Sequence, residues 1–192
     1  MPHTLILVAG YAGSGKTRVG NDIARQLPAC YLDKDTLGTP FVERLLVALE
    51  QPPGDRDSPI YRAEIRPLEY EALTATGIEA AALGADVVLS APFLVQLVDQ
   101  QWVGQLVTQA AEAKVQLRVV WVASDHATLQ RRMSERGSVR DRVKLADWDA
   151  YAANVDVSLD QQFAVESWRF DNSERADYAA EMTRLLAHLR NV

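Results

Sequence analysis

An eight-residue run near the start of the chain constrains its fold more than any other feature. Residues 10–17 read GYAGSGKT and fit the pattern G-x-x-x-x-G-K-[ST] at every fixed position. The apolar run 5–9 that precedes it is typical of a strand buried on both faces. Apolar residues at helical spacing follow over residues 16–27, and Pro28 ends that pattern. The chain is therefore expected to begin with a strand, a glycine-rich turn and a helix.

Each fixed position of this turn has a task in binding phosphate groups. The glycines permit positive φ and let backbone N–H groups approach phosphate oxygens. Lys16 places a point charge against the β- and γ-phosphates, and Thr17 offers its hydroxyl to Mg²⁺. The helix that follows directs its positive end at the same phosphates. We therefore predict ATP and Mg²⁺ as cofactors, bound by the residues of this turn: Gly10, Ala12, Gly13, Ser14, Gly15, Lys16 and Thr17.

The rest of the chain alternates between short apolar segments and helical patterns. The apolar segments are 5–9, 29–32, 86–91, 116–122 and 166–170. Such alternation is typical of a mostly parallel sheet with helical crossovers. We see no internal repeat and no linker long enough to separate two domains. The expected fold is a single three-layer α/β/α domain over residues 1–192.

Composition excludes several classes of protein. A hydrophobic share of 48% and a charged share of 24% indicate an ordinary globular domain. The formal net charge of −6 argues against a nucleic-acid partner, because proteins that bind nucleic acids are usually basic. No stretch approaches the roughly 20 apolar residues of a membrane span. A single cysteine, Cys30, cannot form an internal disulfide, so we expect a cytoplasmic protein. Because Cys30 lies in an apolar stretch, we expect it to be buried. The oligomeric state is left open.

Two carboxylates, Asp33 and Asp35, follow the second apolar segment. The carboxyl ends of parallel strands share one edge, so both should face the phosphate-binding turn. Two tasks are needed there: holding Mg²⁺ and accepting a proton from an attacking hydroxyl. Asp33 is our first choice for the base, and Asp35 is the second. Both are candidate Mg²⁺ ligands, and an exchange of the metal and base roles between them is left open. Asp35 is also a candidate for contacting the acceptor. A solvated turn in which Asp35 caps the next helix is the alternative.

The third apolar segment lacks the aspartate that usually holds Mg²⁺ in phosphate-loop enzymes. It ends in Ser90, followed by Ala91 and Pro92, whereas Asp86 lies at its other end. Asp33 and Asp35 would therefore carry more of that duty.

Arginines are concentrated in one segment, about 131–144. A mobile arginine loop can close on a migrating phosphoryl group and exclude water, and the planar guanidinium grips phosphate oxygens in pairs. We choose Arg136 and Arg140 as catalytic residues and Arg132 as a nucleotide-binding residue. The alternative is a helix end with surface ion pairs.

A phosphoryl acceptor would sit beside the acidic pair, in a segment of about 36–75. Arg62 and Arg66 are four residues apart and share a helix face, so they are candidates for binding an anionic or hydroxylated acceptor. Alternatively, they pair with Glu64 and Glu69 on a wet surface.

Together, the turn at 10–17, the DKD sequence at 33–35 and the arginine segment resemble the small P-loop kinases grouped as AAA-type ATP-binding proteins. Gluconate kinase, shikimate kinase, chloramphenicol phosphotransferase, and the kinase domains of zeta toxin and polynucleotide kinase are relatives. The resemblance implies a P-loop NTPase fold with a five-stranded parallel sheet in the order 2-3-1-4-5 and an arginine-bearing lid. It also implies an aspartate base after the second strand and, around Asn172, a segment beside adenine.

The resemblance and the motifs lead to one expected activity and two alternatives. The expected activity is transfer of the γ-phosphoryl group of ATP to a hydroxyl of a small molecule. A regulator or slow ATPase that switches a partner protein is the first alternative, although a switch needs neither the basic lid nor the acidic pair. A polynucleotide-end kinase is the second, and the acidic net charge opposes it.

Overall fold

A five-stranded sheet forms the centre of the computed structural model, which describes residues 2–138 and 141–190. Neighbouring strands all run parallel, and their order is β2-β3-β1-β4-β5, as expected. The strands are β1 (Thr4–Ala9), β2 (Cys30–Asp33), β3 (Val87–Ser90), β4 (Gln116–Ala123) and β5 (Trp168–Asp171).

Helices cover both faces of this sheet. They are α1 (Lys16–Gln26), α2 (Lys34–Ala48), α3 (Arg66–Ala82), α4 (Gln100–Glu112), α5 (His126–Arg136), α6 (Arg142–Ala146), α7 (Trp148–Ala152) and α8 (Tyr178–Arg190). Helices α1 and α8 pack on one face of the sheet. Helices α3, α4 and α5 pack on the other face. The result is the expected α/β/α arrangement.

Strand β1 lies in the middle of the sheet and shows why its sequence is continuously apolar. Leu5 and Leu7 belong to the core on the α3 side, whereas Ile6 and Val8 belong to the core on the α1 side. Side chains alternate along a strand, so a strand covered on both faces needs apolar residues at every position. This burial fixes the carboxyl end of β1, from which the phosphate-binding turn leaves.

Helix α2 begins directly after β2, because Asp33 caps it. The Asp33 Oδ1 atom accepts hydrogen bonds from the backbone N–H groups of Asp35 and Thr36, at 3.0 and 3.1 Å. A short π-helix, Tyr61–Ile65, then leads into α3. A small separate core joins α2 to this π-helix through Val42, Leu46, Tyr61 and Ile65.

One expectation about the fold is wrong. Cys30 is exposed, whereas the sequence predicted it to be buried. It starts β2, which is an edge strand of the sheet, so it has a strand neighbour on one side only. No helix in the described part of the chain is long and apolar enough to cross a membrane.

Candidate active site

The turn between β1 and α1 has the backbone shape that its glycines predict. Gly13 and Gly15 have φ values of +82° and +90°, a region that L side chains rarely adopt. A Cβ atom at Gly15 would lie 2.3 Å from the Asn172 Nδ2 atom. Gly15 also precedes the first residue of α1, so the free N–H groups of that helix open toward the turn. This arrangement forms an anion-binding cradle at the carboxyl end of β1.

Two side chains from distant parts of the chain hold this turn through the carbonyl oxygen of Ser14. Asn172, which is buried just after β5, donates to that oxygen through Nδ2 at 2.6 Å. Arg132 of α5 donates to the same oxygen through Nη1 at 3.3 Å. The buried hydroxyl of Ser124 in turn donates to the Asn172 carbonyl at 3.0 Å. Asn172 is thus placed to fix the shape of the turn, a role that the sequence did not indicate.

Lys16 lies at the centre of the charged groups of the site. Its Nζ donates to the carbonyl oxygen of Tyr11 at 2.8 Å. Burial lowers the pKa of Lys16 to about 8, although Asp35 and, more weakly, Asp33 raise it. Arg136 lowers it further. The acidic pair and the arginine segment therefore both act on the lysine electrostatically, as expected for one site.

The two carboxylates of the acidic pair are held differently. Asp33 uses Oδ1 to cap α2, and its Oδ2 accepts a hydrogen bond from the Tyr31 hydroxyl at 3.3 Å. Asp35 lies in the first turn of α2, where its Oδ1 is 3.0 Å from Lys34 Nζ and its side chain is 45% exposed. Asp33 is consequently fixed in place, whereas Asp35 contacts Lys34 and keeps a partly exposed side chain.

Tyr31 is a site residue that the sequence reasoning missed. Its ring packs over α1, where a Cβ atom at Gly20 would lie 2.8 Å from the ring. Its hydroxyl donates to the Asp33 Oδ2 atom at 3.3 Å and lies near Thr17 and Ser90, and burial raises the pKa of Tyr31. The signal in the sequence was Gly20, one turn after Thr17, together with a tyrosine two residues before Asp33 on the same strand.

The predicted lid spans the end of α5 and the helix α6. Arg136 donates to the Asp141 Oδ2 atom through Nε at 3.0 Å and through Nη2 at 2.6 Å. Asp141 is buried, so it holds this guanidinium firmly. Burial and the nearby positive charges of Arg131 and Arg18 lower the pKa of Arg132. Such a concentration of positive charge suits the binding of an anion. Arg140 lies outside the described residues.

Two adjoining cavities flank the cradle. The first has a volume of about 490 Å³ and is lined by Lys16, Thr17, Arg132 and Arg136. The second, of about 630 Å³, shares Arg132 and includes Asn172 and Tyr178. Volumes of this size are typical of small-molecule sites, and the lining of the first is strongly basic. A basic lining of this kind suits a ligand with phosphate groups.

The residues present also fit Mg²⁺. Mg²⁺ takes oxygen ligands and is usually bound through one or two carboxylates plus substrate phosphates. Thr17 and Asp33 offer a hydroxyl and a carboxylate beside the cradle. The Tyr31 hydroxyl donates to Asp33 and also lies near Thr17. Within the described ranges, no group of three or more His, Cys, Asp or Glu side chains could hold a metal ion by itself. A site completed by phosphates agrees with that finding.

The arginines predicted to bind the acceptor line neither cavity. Arg62 is on an exposed face of the π-helix, with Nη2 3.6 Å from Asp57 Oδ1. Arg66 is half-buried at the start of α3. The alternative that placed Glu69 on a wet surface as their partner is wrong, because Glu69 is buried at the centre of a polar cluster that includes Lys34.

Comparisons with known proteins agree with this architecture. Residues 5–157 match the family described as AAA domain. The shikimate kinase of Bacteroides thetaiotaomicron is 18% identical, with a TM-score of 0.58 over 97% of this chain and 98% of that chain. The APS kinase of Mycobacterium tuberculosis, solved with AMPPNP and APS, is 19% identical, with a TM-score of 0.57 over 99% of each chain.

A gluconokinase from Sinorhizobium meliloti is 20% identical, with a TM-score of 0.51 over 98% of this chain and 95% of that chain. At these identities the likeness concerns the fold. No protein with a curated description matches the chain in sequence.

Proposed function

The chain belongs to the AAA domain family, as its motifs predicted, and we propose that it is a kinase that transfers the γ-phosphoryl group of ATP to a hydroxyl of a small molecule. The observation that carries the proposal is the cavity at the glycine-rich turn, where Arg132 and Arg136 line the same space as Lys16 and Thr17, while Asp35 raises the pKa of that lysine. A phosphate-binding lysine supports nucleotide binding in general. A carboxylate and an arginine acting on that same lysine support phosphoryl transfer in particular.

The cradle positions the nucleotide. Backbone N–H groups at the start of α1, together with Lys16, hold the β- and γ-phosphates. Thr17 and Asp33 hold Mg²⁺, which when bound neutralises charge on the phosphate oxygens. Asn172 and Arg132 keep the turn in the required shape through the Ser14 carbonyl. Phosphoryl transfer depends mainly on such positioning and on charge stabilisation.

Asp35 is the general base in this proposal, with Asp33 on the metal side, which is one of the arrangements left open by the sequence. Asp33 is engaged by two backbone N–H groups and by the Tyr31 hydroxyl, so it is fixed against the sheet edge. Asp35 raises the pKa of Lys16 more than Asp33 does, so its charge acts more strongly on the phosphate-binding lysine. A base must come within hydrogen-bond reach of the attacking hydroxyl, and the Asp35 side chain is 45% exposed.

The arginine segment stabilises the migrating group. Arg136 is oriented by the buried Asp141 and lines the same cavity as Lys16. Arg132 reaches the cavity from the preceding turn of α5. Guanidinium groups aimed at charge that develops during transfer lower the barrier, because they need no reorganisation. Arg140 remains a candidate from its sequence position.

The acceptor would bind beside Asp35, with the segment 36–75 on one side and the lid on the other. Arg62 and Arg66 remain candidates for contacting it at the outer end of that segment. The structural relatives include a gluconokinase, a shikimate kinase and an APS kinase, so gluconate, shikimate and APS are the first acceptors to try.

A transfer assay with labelled ATP tests the proposal. The protein, [γ-³²P]ATP and Mg²⁺ are incubated with D-gluconate, shikimate or APS singly, and with a deproteinised small-molecule extract of bacterial cells. We expect label to move from ATP to a phosphorylated small molecule, and Asp35→Asn to abolish that product. Release of inorganic phosphate alone, indifferent to every addition, would instead support a slow ATPase.

A further inference from the structure

A buried cluster of charged side chains lies between α2, α3 and the loop that joins them. Glu69 of α3 is only 3% exposed, and three donors reach its carboxylate. Lys34 Nζ lies 2.9 Å from Oε1, Arg56 Nη1 lies 3.3 Å from the same oxygen, and the Tyr61 hydroxyl donates to Oε2 at 2.7 Å. The four residues come from α2, the loop after it, the π-helix and α3, and Glu69 is the common partner of the other three.

The cluster is more polar than its burial alone would favour. Removing an unpaired charge from water is costly, so a buried lysine persists only with good partners. Lys34 is buried, and its Nζ lies 2.9 Å from a carboxylate oxygen of Glu69. The structure keeps a cation here where an apolar residue of similar size would pack without such cost.

Lys34 has a second partner, which gives that charge a use. Its Nζ is 3.0 Å from the Asp35 Oδ1 atom, so one ammonium group bridges Glu69 and Asp35. Glu69 fixes the ammonium from the buried side, and the ammonium fixes one oxygen of Asp35 from the inner side of α2. The Asp35 side chain is 45% exposed while this contact holds one of its oxygens.

Arg56 ties the adjoining loop to the same bridge. It lies between α2 and the π-helix, is 16% exposed, and reaches both Glu69 and, at 3.5 Å, the Thr39 hydroxyl. Its guanidinium also lies over the Tyr61 ring, 5.3 Å from the centroid. A shift of this loop would therefore change the partners of Glu69 and, through Lys34, the environment of Asp35.

We propose that Lys34 and Glu69 are positioning residues that orient Asp35 for proton acceptance, and that Arg56 couples the 49–60 loop to that orientation. The inference rests on the proposed function, because it assigns Asp35 the role of base. The reason for keeping a buried ion pair here is geometric control of one carboxylate, not stability.

Three variants separate positioning from a purely structural role: Lys34→Met, Glu69→Gln and the double variant. Each single variant leaves a buried charge short of a partner, so both should unfold at lower temperature than the wild type. The double variant removes one charge of each sign and should be more stable than Glu69→Gln, in which both Lys34 and Arg56 lack the Glu69 carboxylate. Transfer should not recover with it. We expect the two variants lacking Lys34 to transfer phosphate at least about tenfold more slowly than the wild type, with KM for ATP within about twofold, because misplacing a reacting group is costly.

The assay uses [γ-³²P]ATP with the bacterial small-molecule extract, alongside a thermal unfolding measurement. Lys34→Arg keeps the charge and should transfer faster than Lys34→Met. Lys114→Met, at an exposed lysine after α4, is the matched control and should behave as the wild type. If transfer by the double variant equals that of the wild type, or rises in step with unfolding temperature across the set, the inference is wrong while the kinase proposal stands. If the wild type itself transfers no label, the kinase proposal fails and this inference fails with it.

Discussion

The Nδ2 atom of Asn172 lies 2.6 Å from the carbonyl oxygen of Ser14, although the two residues are 158 positions apart in the chain. This hydrogen bond joins the end of β5 to the phosphate-binding turn. Asn172 is buried, and the space beside Gly15 is available to its amide only because Gly15 lacks a Cβ atom. The conformation of the turn thus depends on a contact from the far end of the fold.

Asn172→Ala should weaken ATP binding by about tenfold, because a lost buried hydrogen bond costs about 1–2 kcal/mol. Isothermal titration calorimetry with Mg²⁺-ATP measures this directly. Asn154→Ala, at an exposed asparagine that lines neither cavity, is the control. An unchanged affinity for ATP would show that the turn holds its shape without the Asn172 amide.

Affinity for ATP should fall as pH rises through about 8. Burial lowers the pKa of Lys16 to about 8 in the free protein, and bound phosphates would raise it, so binding is favoured while the lysine is charged. Binding above that pH should therefore take up a proton. Calorimetry at pH 7 to 9.5, in buffers of different ionisation enthalpy, detects both effects.

Lys16→Arg provides the control for this pH dependence, since a guanidinium stays charged over the whole range. Its affinity, whatever its absolute value, should not decline between pH 7 and 9.5. A decline of the same size in both proteins would assign the titration to another group.

The two aspartates should respond differently to replacement by asparagine. Asp35→Asn should bind Mg²⁺-ATP as the wild type does but lose transfer by about 10²–10⁴-fold, the usual contribution of a general base. Asp33→Asn should keep measurable transfer and need more Mg²⁺. Asparagine is as good a helix N-cap as aspartate, so α2 should stay intact in the second variant. Full activity in Asp35→Asn would return the role of base to Asp33.

Tyr31→Phe should raise the Mg²⁺ concentration needed for half-maximal ATP binding by several-fold. The change removes the hydroxyl that donates to Asp33 and lies near Thr17 and Ser90, but keeps the ring that packs over Gly20. The net cost of one hydrogen bond, about 0.5–1.5 kcal/mol, sets the expected size. Calorimetric titrations of ATP at a series of Mg²⁺ concentrations measure it. An unaltered Mg²⁺ dependence would remove Tyr31 from the metal site.

Local patterns in the sequence were sufficient to predict the glycine-rich turn and the strands of the sheet. The continuous apolar run in β1 and the glycines that follow it are short-range signals, because strand burial and positive φ leave a mark at the residues themselves. The sheet order came from the resemblance to a known family, and the structure confirms it.

Contacts between distant segments could not be read in the same way. Glu69 meets Lys34 only because α3 packs beside α2, and no spacing rule links positions 35 residues apart. The same holds for Asn172 and Ser14. The exposure of Cys30 was missed for a related reason, since an apolar neighbourhood in sequence does not reveal whether a strand lies at the edge of a sheet.

The most direct test of the account is a ³¹P NMR time course of ATP and Mg²⁺ with the protein and the bacterial small-molecule extract. We predict that the γ-phosphate signal falls while ADP and a new phosphomonoester signal grow in equal amounts, and that Asp35→Asn shows neither change. Growth of inorganic phosphate alone, or an ATP spectrum that stays constant with the wild type, would contradict it.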